Sequence, residues 1–197
     1  SGESQRTDIK LAERNIILTT LIHHHLMYHH YQAAVDRCKE LVRYNRNSAQ
    51  AFYLLSRVCC FVGKSADARL SLKLASSRSD ASLSMQHLCQ AMIYGVEGKV
   101  DLANDEFEAV CVLQADNVIA ANNSAMMMLH QGLIDDSIER LEGLLRENST
   151  AALDEGLVFN LCTLYELRYP HQSAEKRNVL RNLATRLGRQ GFNMKSI

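Results

Sequence analysis

Apolar residues recur at three- and four-residue spacing along most of the chain, from Ile16 to Leu187. This spacing places apolar side chains on one face of an α-helix, so the pattern predicts a series of amphipathic helices. Short polar stretches interrupt the pattern roughly every 15 to 20 residues, which is the rhythm of helical hairpins. These stretches are Asn45–Ser48, Gly63–Ser65, Glu97–Lys99 and Gln131–Gly132.

Small residues recur at a fixed interval in the second helix of each predicted hairpin. They are Ala34, Ala68, Ala103 and Ser137, separated by 34, 35 and 34 residues. This is the period of the tetratricopeptide repeat, in which two antiparallel helices cross too closely for a large side chain. Ala174 follows after a step of 37 residues and predicts a fifth unit.

The first helices support the same register. Twelve residues before the small anchor, a second small residue stands in four of the five units: Ser56, Ala91, Ala125 and Cys162. The first unit departs from the pattern with Ile22 at this place, and Asn178 interrupts the fifth unit. An irregular helical bundle that matches by chance is the alternative, but three nearly equal steps favour the repeat.

The sequence therefore predicts an all-α fold, an α-solenoid of about five tetratricopeptide-like hairpins. Its single proline and its scattered glycines agree with helices throughout. We expect a polar leader over residues 1–14, the repeat domain over residues 15–188 and a C-terminal tail over residues 189–197. The opening Ser1-Gly2-Glu3 lacks a methionine, which is typical of a tag-cleavage scar or an excised fragment.

Charge and hydropathy narrow the possible partners. Lys plus Arg and Asp plus Glu both number 22, so nothing marks the whole chain for binding nucleic acid or an anionic membrane. The apolar runs, such as Ala125–Leu129, are too short to span a bilayer, and no secretory signal is present. These features predict a cytoplasmic protein without direct membrane insertion.

The six cysteines include no C-x-x-C pair of the kind that binds zinc or exchanges disulfides. We expect them to be free thiols that serve as small buried hydrophobic side chains.

Candidate chemistry is sparse. His23–His25 and then His29 and His30 form a cluster, and a helix would place His25 and His29 on one face, where they could share a metal. No further ligand is identifiable, so a polar, partly exposed helix face is the favoured interpretation, and a His-cluster metal-binding protein is the alternative. No phosphate-binding loop or nucleophile elbow occurs, and Asp135–Asp136 fit charges at a helix start. We expect no catalytic residue, metal, cofactor or small-molecule substrate.

In a tetratricopeptide stack the first helices line the concave side, which predicts a partner-binding groove. The groove positions are Thr19, His23, Tyr53, Arg57, Phe61, Met85, Leu88, Met92, Ile119, Asn122 and Met126. Tyr53, Arg57 and Phe61 stand four residues apart and predict a contiguous, exposed set of binding hot spots. Met85 and Leu88 fit either the groove or packing between repeats.

A chaperone adaptor is the alternative within the class of binding proteins. Repeat proteins that capture acidic chaperone tails carry a clamp of Lys, Asn and Arg on the concave side. Thr19 and His23 occupy the places of the first-repeat Lys and Asn. The clamp is therefore absent from the sequence, and this alternative is less favoured.

The segment Glu155–Leu167 reads EGLVFNLCTLYEL and is followed by Lys176–Leu180 and by Gly191-Phe192-Asn193. It resembles the C-terminal end of the subunit 12 family of the transport protein particle (TRAPP) complex. The resemblance implies a peripheral subunit of a vesicle-tethering assembly that acts between endoplasmic reticulum and Golgi and activates a Rab GTPase. It further implies other protein subunits as partners, catalysis by those subunits, and peripheral association with endoplasmic reticulum–Golgi membranes through the complex.

Overall fold

The computed structural model describes residues 2–147 and 155–169, together with Arg181. Within these residues every regular element is a helix, which confirms the all-α prediction. The helices are α1 Gly2–Met27, α2 Tyr31–Tyr44, α3 Ala49–Phe61, α4 Ser65–Ser76, α5 Leu83–Val96, α6 Val100–Leu113, α7 Val118–His130, α8 Ile134–Glu147 and α9 Glu155–Arg168.

The helices pack as hairpins, α1 with α2, α3 with α4, and α7 with α8. The chain divides into two compact units inside α6, between Glu106 and Phe107. Unit 1 contains α1 to α5 and the beginning of α6. Unit 2 contains the remainder of α6 and the helices that follow.

One turn geometry joins the two helices of successive hairpins. A residue with positive φ follows the first helix of each of the first four hairpins: His29 at 59°, Gly63 at 76°, Gly98 at 72° and Gly132 at 82°. The next amide then donates to the carbonyl five residues back, as from Lys64 N to Cys59 O at 2.8 Å. This is the left-handed helix end that glycine favours, so the turn repeats with the period of the small anchors.

The predicted small residues lie where the helices of a hairpin cross. Ala68 and Ser56 have no exposed surface, and Ser56 Oγ donates to Ala68 O at 2.9 Å. The reciprocal bond occurs in unit 2, where the serine lies on the second helix and Ser137 Oγ donates to Ala125 O on the first helix at 2.7 Å. Each pair is twelve residues apart, as the predicted register requires. A larger side chain at either place would force the two helices apart.

Buried cysteines contribute to the core of unit 1. Cys38, Cys59, Cys60 and Cys89 are all buried. Desolvation raises the pKa of Cys38 and Cys60 to about 12 and that of Cys89 to about 11. These thiols therefore stay protonated at neutral pH and pack as small hydrophobic side chains, as predicted. Cys111 and Cys162 are only half-buried, so the prediction of burial holds for four of the six cysteines.

Helix α1 extends beyond the predicted start of the first repeat. Helix α1 begins at Gly2, so residues 2–14 of the predicted leader belong to the same helix as the first repeat. Ala174, the second helix of the fifth hairpin and the tail over residues 189–197 lie outside the described residues.

No helix in the described part of the chain has both the length and the apolar character that crossing a membrane requires.

Candidate protein-binding surface

Helices α3 and α5 carry almost no charged side chains. Arg57 is the sole Lys, Arg, Asp or Glu in the two helices, whereas α2 carries five such residues and α4 carries three. A helix with one face in water normally places charged side chains on that face. The missing charge therefore marks the open face of α3 and α5 as suited to contact with another molecule.

Four side chains at equivalent repeat positions form this open face. Arg57 and Phe61 lie one turn apart on α3, and Met92 and Val96 lie one turn apart on α5, 35 residues further along. Phe61 is 61% exposed and Val96 is 43% exposed, while Arg57 and Met92 are half-buried. Helices α3 and α5 pack against each other. We call Arg57, Phe61, Met92 and Val96 the first-helix patch.

Tyr53 is not part of this patch, and the prediction that it is exposed is wrong. Its side chain has no exposed surface. Its hydroxyl donates to Ser82 O and accepts from Ser82 N, both at 3.1 Å, and burial raises its pKa. Ser82 caps the N-terminus of α5, so the ring of Tyr53 is covered where α5 begins beside α3. The hydroxyl gives the buried ring a polar partner, which is why a tyrosine fits this position.

Arg57 is the charged centre of the patch. Its Nε is inaccessible to solvent and has no hydrogen-bond partner. Among the described residues the guanidinium has neither an ion pair nor a hydrogen bond, although its charge lowers the pKa of the Cys89 thiol against the larger effect of burial. A guanidinium offers five N–H donors in a planar fork that matches a carboxylate. Arg57 therefore has unused capacity to bind an anion.

Phe61 extends the patch toward the hairpin turn of the first repeat. The centre of its ring lies 6.0 Å from that of Tyr31, which is 41% exposed. The Tyr31 hydroxyl is 2.8 Å from His29 Nδ1. Tyr31 was not among the surface residues predicted from the sequence. Its position could have indicated its exposure, because Tyr31 is the first residue of a second helix, directly after the turn. Ser65, Val100 and Ile134 occupy the same position in the next three repeats.

The predicted methionine and leucine positions on α5 divide between core and surface. Leu88 is 3% exposed and belongs to the interior, which settles the choice left open by the sequence. Met85 and Met92 are half-buried and pack against the core of unit 1. Leu88 occupies the same repeat position as Tyr53, so this row of side chains is covered on both helices, while the row of Arg57 and Met92 is not.

On α1 the predicted residues Thr19 and His23 are exposed. Thr19 Oγ1 donates to Asn15 O at 2.8 Å within the helix. Met27, at the repeat position of Phe61 and Val96, is 64% exposed and was missed, although the register of Phe61 was sufficient to find it. The equivalent position is thus exposed and apolar in three successive first helices.

The histidine cluster does not adopt the arrangement that a shared metal requires. Helix α1 ends at Met27, so His29 lies in the turn with positive φ and contacts Tyr31 instead of lying one helical turn from His25. The rings of His25 and His30 are 5.8 Å apart. Within the described part of the chain, no group of three His, Cys, Asp or Glu side chains is placed to hold a metal ion.

Unit 2 contains the remaining predicted positions. Ile119 is 48% exposed, Met126 packs partly against the core of this unit, and Asn122 Oδ1 accepts from Asn160 Nδ2 at 3.1 Å. Phe159 on α9 is 70% exposed and was not predicted. Phe159 stands three residues before Cys162, just as Asn122 stands three residues before Ala125. The repeat register was therefore sufficient to predict Phe159 as a groove position.

Comparison with solved structures identifies the fold. A tetratricopeptide repeat protein from Parabacteroides merdae superposes with a TM-score of 0.65 at 14% identity, covering 98% of this chain and 77% of that one. A chain of nearly identical TPR-like repeats from Podosopora anserina superposes with a TM-score of 0.60 at 16% identity, covering 93% and 98%. These similarities confirm the predicted tetratricopeptide-type class of all-α fold.

Sequence comparison finds similarity over part of the chain. The trafficking protein particle complex subunit 12 of Mus musculus is 28% identical over 99 residues, which are 50% of this chain and 12% of that protein. The Homo sapiens protein of the same name is 30% identical over 82 residues, 42% of this chain and 11% of that protein. The similarity therefore spans about one eighth of each relative. No family model matches the chain. The chain has a tetratricopeptide-like helical fold and partial sequence similarity to subunit 12 of the trafficking protein particle complex.

Proposed function

We propose that this chain is a non-catalytic protein-interaction scaffold and part of a vesicle-tethering TRAPP complex that acts between endoplasmic reticulum and Golgi. The observation that carries the binding role is the first-helix patch, where two packed helices expose Phe61 and Val96 and carry a single charged residue. The partial similarity to the trafficking subunits supports the choice of complex.

In this proposal the partners are other protein subunits, and the complex holds the chain at the membrane. Further predicted positions provide contact surface within each unit separately: Thr19 and His23 in unit 1, and Ile119, Asn122 and Met126 in unit 2. Aromatic and arginine side chains usually contribute most of the affinity of such surfaces. Phe61 and Arg57 are therefore the anchors of the proposed contact, with Met92 beside them and Met85 as further contact surface near the start of α5.

The test is affinity purification from cell extract with quantitative mass spectrometry. We expect the tagged chain to recover subunits of the trafficking complex and Phe61→Ala to recover several-fold less, because an anchor of this kind is worth about 1–3 kcal/mol. Leu70→Ala is the matched control: Leu70 is 59% exposed on α4, the second helix of the same hairpin, and its loss should leave recovery unchanged.

Three results would contradict the proposal. Recovery of chaperones without trafficking subunits would favour the chaperone-adaptor alternative. Recovery of trafficking subunits that depends on Leu70 and not on Phe61 would move the contact to the second helices. Absence of trafficking subunits from the recovered set would remove the assignment to the complex.

A further inference from the structure

The first-helix patch combines apolar side chains with one cation in a way that specifies its ligand. Phe61 and Val96 are exposed and apolar, and Arg57 and Met92 lie one turn earlier on the same two helices. No Asp or Glu occurs in α3 or α5 to neutralise Arg57. The surface thus presents a positive charge bordered by apolar area.

The acid that follows α5 along the chain does not satisfy this charge. Glu97 accepts from Arg69 Nε at 2.8 Å and from Lys99 Nζ at 2.9 Å. These two cations hold the pKa of Glu97 down to about 2, so its carboxylate is ionised and fully engaged. Among the described residues Arg57 is left without an ion-pair partner.

Charge complementarity therefore selects the occupant. We propose that the patch binds a peptide segment of a protein partner that carries one acidic side chain flanked by bulky apolar residues. The carboxylate accepts hydrogen bonds from the guanidinium of Arg57, and the apolar residues cover Phe61 and Val96. This inference rests on the proposed binding function and adds the chemistry of the ligand to it.

The partly buried position of Arg57 makes the contact selective. A carboxylate that binds there is shielded from water by the apolar side chains on both partners, which strengthens a charge-assisted hydrogen bond. An apolar segment without an acid would cover Arg57 and leave its donors unpaired, which is costly. A segment with Lys or Arg at that place would be repelled.

The experiment is selection of a displayed library of random 12-residue peptides on four forms of the chain: parent, Arg57→Gln, Phe61→Ala and Arg43→Gln. Arg43 is exposed on α2 and controls for the loss of a positive charge elsewhere. We expect the parent and the Arg43→Gln form to enrich peptides with one Asp or Glu between large apolar residues. The enrichment in acid should disappear with Arg57→Gln.

Binding of one selected peptide and its Asn or Gln counterpart then measures the contact. The acidic form should bind the parent about tenfold or more tightly, as a charge-assisted hydrogen bond implies, and the two forms should bind Arg57→Gln within about twofold. A thermal melt of each variant shows whether it is folded. If Arg57→Gln is unfolded, Arg57→Lys keeps the charge without the fork and should retain part of the preference.

The remaining outcomes distinguish failure of the acidic-ligand inference from failure of the proposed binding surface. If the selected peptides depend on Phe61 but lack an acid, or if the acid preference survives Arg57→Gln, the present inference is wrong and the binding surface stands. If parent and Phe61→Ala select the same peptides, the patch is not the binding site and both proposals fail. If no peptide is enriched above a blank surface, recognition of a short acidic segment is ruled out.

Discussion

Replacing Tyr53 with phenylalanine tests the placement of α5 on α3. The substitution keeps the buried ring and removes the hydroxyl that bonds to Ser82 N and Ser82 O. The carbonyl of Ser82 retains a partner, because it also accepts from Gln86 N at 3.0 Å, but the amide of Ser82 loses its acceptor. One net hydrogen bond plus the partial desolvation of that amide predicts a loss of about 1–2 kcal/mol in the free energy of unfolding.

The assay is thermal unfolding followed by circular dichroism at 222 nm. For a chain of this length, about 1–2 kcal/mol corresponds to a fall in Tm of about 2–8 °C. Tyr94→Phe on α5 is the matched control. The ring of Tyr94 is half-buried and lies under Arg69 at 5.6 Å, but its hydroxyl has no hydrogen-bond partner among the described residues. Its removal should change Tm by less than about 1 °C.

A binding assay distinguishes the structural role of Tyr53 from a role in partner recognition. Tyr53→Phe should leave partner capture unchanged as long as the protein is folded, because the hydroxyl is inaccessible, whereas Phe61→Ala should reduce capture. A Tyr53→Phe protein that melts like its parent would show that the bond to Ser82 contributes nothing. A Tyr53→Phe protein that melts normally and loses its partner would place Tyr53 on the binding surface and refute the burial argument.

Three further predictions concern the repeat itself. His29→Gly should stabilise the protein by about 0.5–1 kcal/mol, measured as a higher Tm, because His29 adopts a positive φ at the place where the following turns have glycine. Ala68→Leu should destabilise it by about 1–3 kcal/mol, since the fully buried anchor has no room for a larger side chain; an unchanged melting curve would contradict the register. Cys38, Cys60 and Cys89 should resist a thiol reagent at pH 8 until the protein is denatured. Because folding raises their pKa above 9, their contribution to stability should be complete below pH 9 and decline as the pH rises toward about 12.

The sequence was sufficient to predict the repeat because its geometry depends on local, periodic requirements. Ala68 and Ser137 lie where the two helices of a hairpin cross, and a residue at that place must be small. A turn must also join the two helices of every hairpin. The His29 turn could also have been identified, since it precedes Gly63 by 34 residues. The length of α1 could not, because the polar residues before Ile16 fit either a helix or a leader.

The exposure of the candidate surface residues was predicted less well than the repeat, and Tyr53 shows the reason. Helical spacing correctly placed Tyr53, Arg57 and Phe61 on one side of α3, but it carries no information about how far the neighbouring helix reaches. Helix α5 begins at the level of Tyr53 and covers it, while Phe61 lies at the far end of α3 and stays exposed. Exposure on a repeat helix is set by the next repeat, which the spacing within one helix does not encode.

The contrast between the first helices α3 and α5 and the second helices α2 and α4 bears on how the proposed surface would bind a partner while its surroundings do not. The second helices meet water with charged side chains, three on α4 and five on α2, and these disfavour association with apolar partners. Apart from Arg57, the open face of α3 and α5 carries no charge and is free of that penalty. If it were wholly apolar, it would accept any apolar segment, including another copy of the chain. Arg57 changes this balance, because every ligand that covers it must either supply an acceptor or leave a guanidinium unpaired. A single cation in an apolar patch therefore sets the choice of partner, because a ligand with an acid gains a charge-assisted hydrogen bond and a ligand without one loses affinity.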